Sequence, residues 1–301
     1  LLNGIDEMKI NNVEIEDTFA EAFGMKAAGI IITAINEKWA ITAAQTATGF
    51  ATSIIGCGCE AGIDILIAPE ATPDGRPGVR ALFFTISTEE MEKQLLRRIG
   101  QCIMTSPTSA CFNALESDKR IKTGGKLRFF GDGFQGSKVI DDRRFWRVPV
   151  MDGEFVVEES YSVIKAIGGG NFFILAENIA IALTAAERAI EEMNRVAGVI
   201  MPFPGGIVRS GSKVGSRYKG QNVSVNTAYC PSIRSMVETK LPDGVNAVLE
   251  IVIDGLTEEA IKEATGRGIL AACIPGVIKI SAGNYGGKLG PYHFHLREIM
   301  K

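Results

Sequence analysis

The sequence predicts an α+β protein built as two lobes, each running β-α-β-β-α-β. Two observations carry that reading. First, short apolar runs bounded by turns alternate with alanine-rich helical segments in one order through both halves. Second, the halves share local signals at one spacing. Pro73-Asp74-Gly75 is followed by a strand and then Thr88-Glu89-Glu90, and Pro242-Asp243-Gly244 by a strand and then Thr257-Glu258-Glu259. The proline-to-threonine distance is 15 residues in both, and Arg98 and Arg267 fall at the same offset of 169. A Pro-Asp-Gly turn and a helix cap are each common. Their recurrence as a pair inside the same element order makes internal duplication the better account. The element order is that of the ferredoxin-like arrangement, two helices over an antiparallel sheet. The lobes are placed at residues 8–150 and 151–301.

Taken in order, the elements are as follows. Leu1 to Glu7 precede a candidate start at Met8 and are read as a start-site artefact. Ile10, Val13 and Ile15 alternate, and Asp17 to Phe23 is a short helical candidate. Ala28 to Ala34 reads as a buried strand. Asn36 is a good cap for a helix through about Ala47, with Trp39, Ala40, Ala43 and Ala44 as its apolar face. Phe50 to Ile55 is read as the next strand and Val79 to Ile86 as the third. Ser87 or Thr88 caps a helix to about Cys102. Lys126 to Phe130 alternates as a strand, and Phe145 to Val150 closes the first half. In the second half Asn171 to Ala176 is a strand, and Asn178 caps a helix from Ile179 to about Val196. Val199 to Phe203 is a strand, Pro204 to Thr239 a long Gly/Ser/Asn-rich section, and Ala247 to Ile253 a strand between two turns. Thr257-Glu258-Glu259 opens a helix to about Ala272, and Gly276 to Ser281 is the last core strand.

Composition limits the function classes. The chain has 301 residues, 46% of them apolar, enough for two domains with a substantial core. Lys+Arg (32) and Asp+Glu (35) nearly balance at a net charge of −3, and no basic cluster carries interleaved aromatics, which argues against nucleic acid as a partner. No apolar run approaches the roughly 20 residues of a membrane span, so no membrane partner is expected. Six scattered cysteines fit a reduced, cytoplasmic protein rather than a disulfide framework.

The glycine-rich stretches Gly168–Gly170, Gly205-Gly206 and Gly283–Gly290 match neither GxxxxGK[ST] nor a strand-to-helix GxGxxG, so they do not signal nucleotide binding. They are turns that need positive φ, or places where backbone approaches a ligand. Cys57 and Cys59 lack a second pair at metal spacing, and no metal site is expected. The two histidines, His293 and His295, lie two apart near the C-terminus, sharing one face if that tail is a strand. They read as surface residues. Carboxylate chemistry remains, and Glu250 is the best-placed carboxylate. Strand alternation puts Val248, Glu250 and Val252 on one face, with Ala247, Leu249, Ile251 and Ile253 on the other. Such a glutamate is solvent-facing, paired, or held in a partly dry site with a raised pKa. The loops Ser210–Ser216 and Asn222–Thr227 precede it and are either ligand donors or solvated turns.

Several longer motifs resemble one family. They include Val13–Phe23, Ala47–Phe50, Thr72–Gly78, Ile99–Cys102, Gly169–Phe172, Pro202–Val208, Gly211–Gly215, Glu250–Ile253 and Ser281–Gly290, and the match runs from Met8 to the end. Together they resemble formylmethanofuran:tetrahydromethanopterin formyltransferases. The resemblance implies an enzyme of archaeal one-carbon metabolism (methanogenesis), a homo-oligomer (dimer or tetramer). It would move a formyl group between methanofuran and tetrahydromethanopterin, both co-substrates, by direct acyl transfer through a tetrahedral intermediate, with no bound cofactor. The family's strand glutamate falls on Glu250, expected as the general acid/base. Gly205, Gly206, Ser212, Lys213, Asn284, Gly286 and Gly287 are expected to line the substrate site. Some segments depart from the family pattern. Leu249 replaces a usual Tyr, Gly56–Gly62 has Gly58 where the family has Pro, Lys219–Val223 lacks the usual aromatic, and Arg209 stands where a small residue is common. These departures raise a non-catalytic alternative: a catalytically idle paralogue that binds a C1 coenzyme or acts, without turnover, as a subunit of a formylmethanofuran-handling complex. A ligand-sensing module on the same lobe type is a third reading.

Overall fold

The computed structural model describes residues 7–301, so the start-site reading of the first residues lies, apart from Glu7, outside it. Two compact units emerge: Gly24–Gly168, and the N-terminal segment through Phe23 together with Gly169–Lys301.

The Gly24–Gly168 unit contains β1 (Phe19–Thr33, from Gly24 onward), α1 (Glu37–Thr48), β2 (Glu60–Ile67), β3 (Gly78–Thr85), α2 (Thr88–Arg98) and β4 (Ala110–Asn113). The strands pair antiparallel in the order β4-β1-β3-β2. A further antiparallel meander, β5 (Gly136–Ile140), β6 (Arg143–Val150) and β7 (Gly153–Glu158), joins through the parallel β7–β4 pair. Helix α1 starts where predicted because the Asn36 side chain accepts from Trp39 N–H at 3.1 Å. It buries Ala40, Ala43, Ala44 and Ala47, a face of small side chains that lets the helix approach the sheet closely. Ser87, rather than Thr88, caps α2, accepting from Glu90 N–H at 3.1 Å.

The other unit repeats the order with β8 (Ile164–Ala176, from Gly169 onward), α3 (Ile179–Met193), β9 (Val199–Ile200), β10 (Ala247–Gly255), α4 (Glu258–Ala272) and β11 (Val277–Ser281). Here the pairing order is β11-β8-β10-β9, position for position that of the first unit. Helices α3 and α4 pack on each other and on β10. The N-terminal segment belongs to this sheet: Val13–Ile15 pairs parallel with β11. The C-terminal strand β12 (Tyr292–His295) pairs antiparallel with Phe19–Ala22.

Three sequence expectations are corrected. Asp17–Phe23 is not helical, since Phe19 opens β1. Ala20, Glu21 and Ala22 have helix-forming side chains, but cross-strand pairing with β12 overrides local propensity. Phe50–Ile55 is not a strand. Phe50 has φ 48°, Ser53 caps a helical turn at Ile54–Cys57 by accepting from Ile55 N–H, and Gly58 at φ 80° ends it. The next strand is therefore displaced to Glu60–Ile67. Lys126–Phe130 alternates in polarity but forms a helical turn, Thr123–Leu127, and a 3₁₀ turn, Arg128–Gly131. Leu127 alone is buried there, while Phe129 and Phe130 are exposed and the Arg128 guanidinium lies 4.1 Å over the Phe129 ring.

The matched arginines of the repeat have diverged. Arg98 donates to the carbonyls of Ala47 (2.6 Å), Gly49 (2.8 Å) and Phe50 (3.1 Å), satisfying acceptors left over at the end of α1. Arg267 makes a solvent-exposed pair with Glu263. Truncating Arg98 to alanine should therefore cost about 2 kcal/mol, the scale for charged hydrogen bonds. Arg267→Ala should stay within about 0.5 kcal/mol. Urea unfolding of both variants checks the contrast.

Candidate active site

Glu250 sits at the middle of β10. The predicted alternation holds: Ala247, Leu249, Ile251 and Ile253 are buried, and Val248, Glu250 and Val252 are half-buried on the opposite face. Across that face runs the segment after Pro204-Gly205-Gly206. Val208 N–H donates to the Glu250 carbonyl at 2.7 Å, and Glu250 N–H donates to the Val208 carbonyl at 2.9 Å. This single antiparallel bridge brings Arg209 and Ser210 to the edge of the cleft that Glu250 lines. The resulting cleft is lined by Phe173, Val208, Arg209, Ser210, Asn226 and Tyr229 beside Glu250. Burial pushes the Glu250 carboxyl up to about 7. Two phenols border the same region. The Tyr229 ring packs on Phe173 at 4.7 Å, its hydroxyl 3.4 Å from Ser281 Oγ. The Tyr285 hydroxyl donates to the Ser212 carbonyl at 3.4 Å. Burial and then the negative charge of Glu250 raise the Tyr285 pKa, which keeps that hydroxyl protonated near neutrality.

A carboxyl group that titrates near neutrality both gives and takes protons at working pH, the property a general acid/base needs. Among the described residues, no three His, Cys, Asp or Glu side chains converge to hold a metal ion. Nor is any helix long and apolar enough to cross a membrane.

The other sequence candidates play several parts. Gly205 has φ 62°, is exposed, and has open space where a side chain would start. Gly206 is buried, and a Cβ there would lie 2.4 Å from Ile190 Cδ1, so this glycine lets the turn pack on α3. Ser212 offers its carbonyl to Tyr285, and Lys213 Nζ donates to Thr227 Oγ1 at 3.0 Å. Asn284 donates to Thr18 Oγ1 (3.1 Å) and the Phe19 carbonyl (3.2 Å), and accepts from Gly286 N–H (3.3 Å). Gly287 N–H donates to Glu21 at 3.1 Å. Glu250, Arg209, Ser210 and Tyr229 thus share the cleft, while Gly205, Gly206, Ser212, Lys213 and Asn284–Gly287 lie outside its lining and Tyr285 ties the last of these to Ser212. His293 and His295 are exposed on β12, with ring centroids 4.8 and 5.2 Å from Phe19.

Sequence reading passed over Tyr229, Tyr285 and Glu21. Glu21 is the least visible, because Asp17–Phe23 was read as a short helix rather than as the strand that buries it. Its signal is a charged residue between two alanines in what is in fact a strand. The departures also find places. Leu249 is buried on the face away from Glu250, and Arg209 lines the cleft. Gly58 takes φ 80°, which a proline, fixed near −65°, does not reach.

Comparison with known proteins gives a consistent result. The family model for formylmethanofuran-tetrahydromethanopterin formyltransferase matches residues 8–150, and the model for that family's proximal lobe matches residues 153–299. The formylmethanofuran–tetrahydromethanopterin formyltransferase of Methylococcus capsulatus is 57% identical over 297 residues, covering 97% of this chain and all of its own. The solved formyltransferase of Methanosarcina barkeri superposes with a TM-score of 0.93 at 53% identity, over 97% of this chain and 100% of its own. A chain of the formyltransferase/hydrolase complex (FhcABCD) of Methylorubrum extorquens, solved with methylofuran, superposes with a TM-score of 0.96 at 48% identity, over 98% and 99%.

The raised pKa carries a stability signature. A carboxyl whose folded pKa lies above its unfolded value of about 4.5 leaves stability intact at lower pH. Stability is then lost as pH rises toward the folded pKa near 7. Glu250→Gln, which has no charge to bury, should melt above the parent protein at pH 8 and close to it at pH 4. Thermal unfolding at the two pH values checks the sign.

Proposed function

Because the chain belongs to the formylmethanofuran–tetrahydromethanopterin formyltransferase family, we propose that it transfers a formyl group from formylmethanofuran to tetrahydromethanopterin, with Glu250 as general acid/base. The two coenzymes are co-substrates and no separate cofactor takes part. The amine of tetrahydromethanopterin attacks the formamide carbon, and the carbonyl electron pair moves to oxygen, giving a tetrahedral intermediate. The attacking nitrogen must lose a proton and the methanofuran nitrogen must gain one before the C–N bond breaks. Ionised Glu250 takes the first proton and protonated Glu250 returns it to the leaving nitrogen, so no net proton is consumed. A group poised near 7 contributes typically about 10²–10⁴-fold in this role. The turns at Gly205-Gly206 and Asn284–Gly287, with Ser212 and Lys213, are assigned to lining the co-substrates; the N–H groups of Gly206, Gly286 and Gly287 are bonded within the protein, to the Phe203 carbonyl, Asn284 and Glu21. Holding two large molecules in line supplies the remainder.

The observation that carries this reading is the half-buried Glu250, pushed up to about 7, in a cleft under the Val208 bridge. Three of the four departures fit an active member. Leu249 lies on the core side of its strand, Gly58 ends a surface turn, and the Lys219–Val223 segment is partly a short hairpin strand. The lobes of residues 8–150 and 151–301 are read as the duplicated halves. The protein is assigned to the cytoplasm as a homo-oligomer, dimer or tetramer, a state that would cover exposed side chains such as Phe130 and Phe134. A second reading has the chain as the transferase subunit of a larger assembly. It is favoured by the similarity to the subunit in the formyltransferase/hydrolase complex. The same active site serves both readings.

Purified protein should transfer formyl between the two coenzymes, and Glu250→Gln should lose about a hundredfold or more in kcat. Full activity in the mutant would remove Glu250 from the mechanism.

A further inference from the structure

Glu21 is almost completely buried, at 1% exposure, on the strand that opens β1. Its carboxylate is bound by four backbone N–H groups of one loop. Tyr285 donates at 2.7 Å and Gly287 at 3.1 Å to Oε2, and Gly290 at 3.0 Å and Leu289 to Oε1. Amides of one short loop that converge in this way, with Gly286 and Gly287 at φ 68° and 76°, form an anion-binding nest. The anion in this nest is a side chain of the protein itself. Burial alone would raise the Glu21 carboxyl, but the four N–H donors outweigh it and hold its pKa below the usual carboxylate range, so it is ionised at neutral pH.

The same strand grips the loop at both ends. Glu21 N–H donates to the Gly283 carbonyl at 3.3 Å, and Asn284 binds Thr18 and Phe19. At the far end Gly290 lies so close that a Cβ would be 2.2 Å from the Ala22 carbonyl oxygen. The loop is therefore fixed along its length, and Tyr285 projects from it to the Ser212 carbonyl. Ser212 directly follows the Ser210-Gly211 segment that lines the Glu250 cleft.

We propose that Glu21 is a positioning residue for the transfer reaction: its carboxylate sets the Asn284–Gly290 loop so that Tyr285 stands beside Glu250. This rests on the reading of Glu250 as the acid/base. Glu21 touches no substrate and acts through Tyr285. The Tyr285 hydroxyl, held on the Ser212 carbonyl next to the cleft-lining Gly211, turns its single O–H from that carbonyl toward the carboxylate or the reacting oxygen as charge develops there. Glutamine in place of Glu21 keeps the volume but replaces one acceptor oxygen with an NH2 group. That group faces two N–H donors and leaves them unpaired.

The test uses the full-length protein with Glu21→Gln, Tyr285→Phe and the double variant. Amide hydrogen exchange at residues 284–290 is measured beside steady-state formyl transfer. Glu21→Gln is expected to speed exchange in that loop and to lower kcat about tenfold while KM for each coenzyme moves less than about threefold. Tyr285→Phe should lower kcat comparably, and the double variant should be no worse than the poorer single, since both remove one device. Should Glu21→Gln fail to fold, Glu21→Asp, one methylene shorter, should give smaller changes in both readouts. Faster loop exchange with unchanged kcat would make Glu21 purely structural and overturn the proposal alone, as would independent, multiplying losses in the double variant. Unchanged exchange would remove the clamp. A parent protein without formyl transfer would overturn the Glu250 reading and this proposal together.

Discussion

The pair of backbone hydrogen bonds between Val208 and Glu250 is the constraint on which the candidate site depends. A glutamate on the open face of a central strand would ordinarily be wet, with an ordinary pKa. The bridge changes that by bringing an irregular segment across the strand at the residue that carries the charge. The neighbouring valines contribute apolar surface, and the segment itself contributes Arg209 and Ser210 at the edge. The strand's own packing and the segment the bridge brings across together bury the carboxyl, and burial pushes it up to about 7.

Glycine plays two opposed parts around this site. Gly206 and Gly290 lack a Cβ because Ile190 and the Ala22 carbonyl occupy the space it would fill, so their role is packing. Gly205 and Gly286 have positive φ and open space where a Cβ would start, so a second molecule can approach them closely. The sequence pattern presents all four as one class.

Much of the fold was legible in the residues. Alternation in Ala247–Ile253, the Asn36 and Asn178 caps, and the repeated Pro-Asp-Gly turns each act locally, and each formed the predicted element. The misread stretches are those where distant partners decide. Phe19–Phe23 becomes a strand because β12, more than 260 residues later, pairs with it. Lys126–Phe130 curls because only Leu127 finds a core to enter. The site divides in the same way. Glu250 was visible because its strand makes its own pattern. Glu21 was hidden because its partners are backbone amides far along the chain, and amides carry no side-chain signature.

The pairing of the chain's two ends has a consequence for the duplication. The half that carries Glu250 takes the strand Val13–Ile15, which pairs with β11, and the anchor of its Asn284–Gly290 loop, Glu21, from the N-terminal segment of the chain. Cut at residue 151, the second half would leave β11 with an unpaired edge and the nest of amides around Glu21 empty. The halves are therefore not separable by a cut at residue 151, and a circular permutant opened there would keep the half that carries Glu250 whole where a simple excision would not.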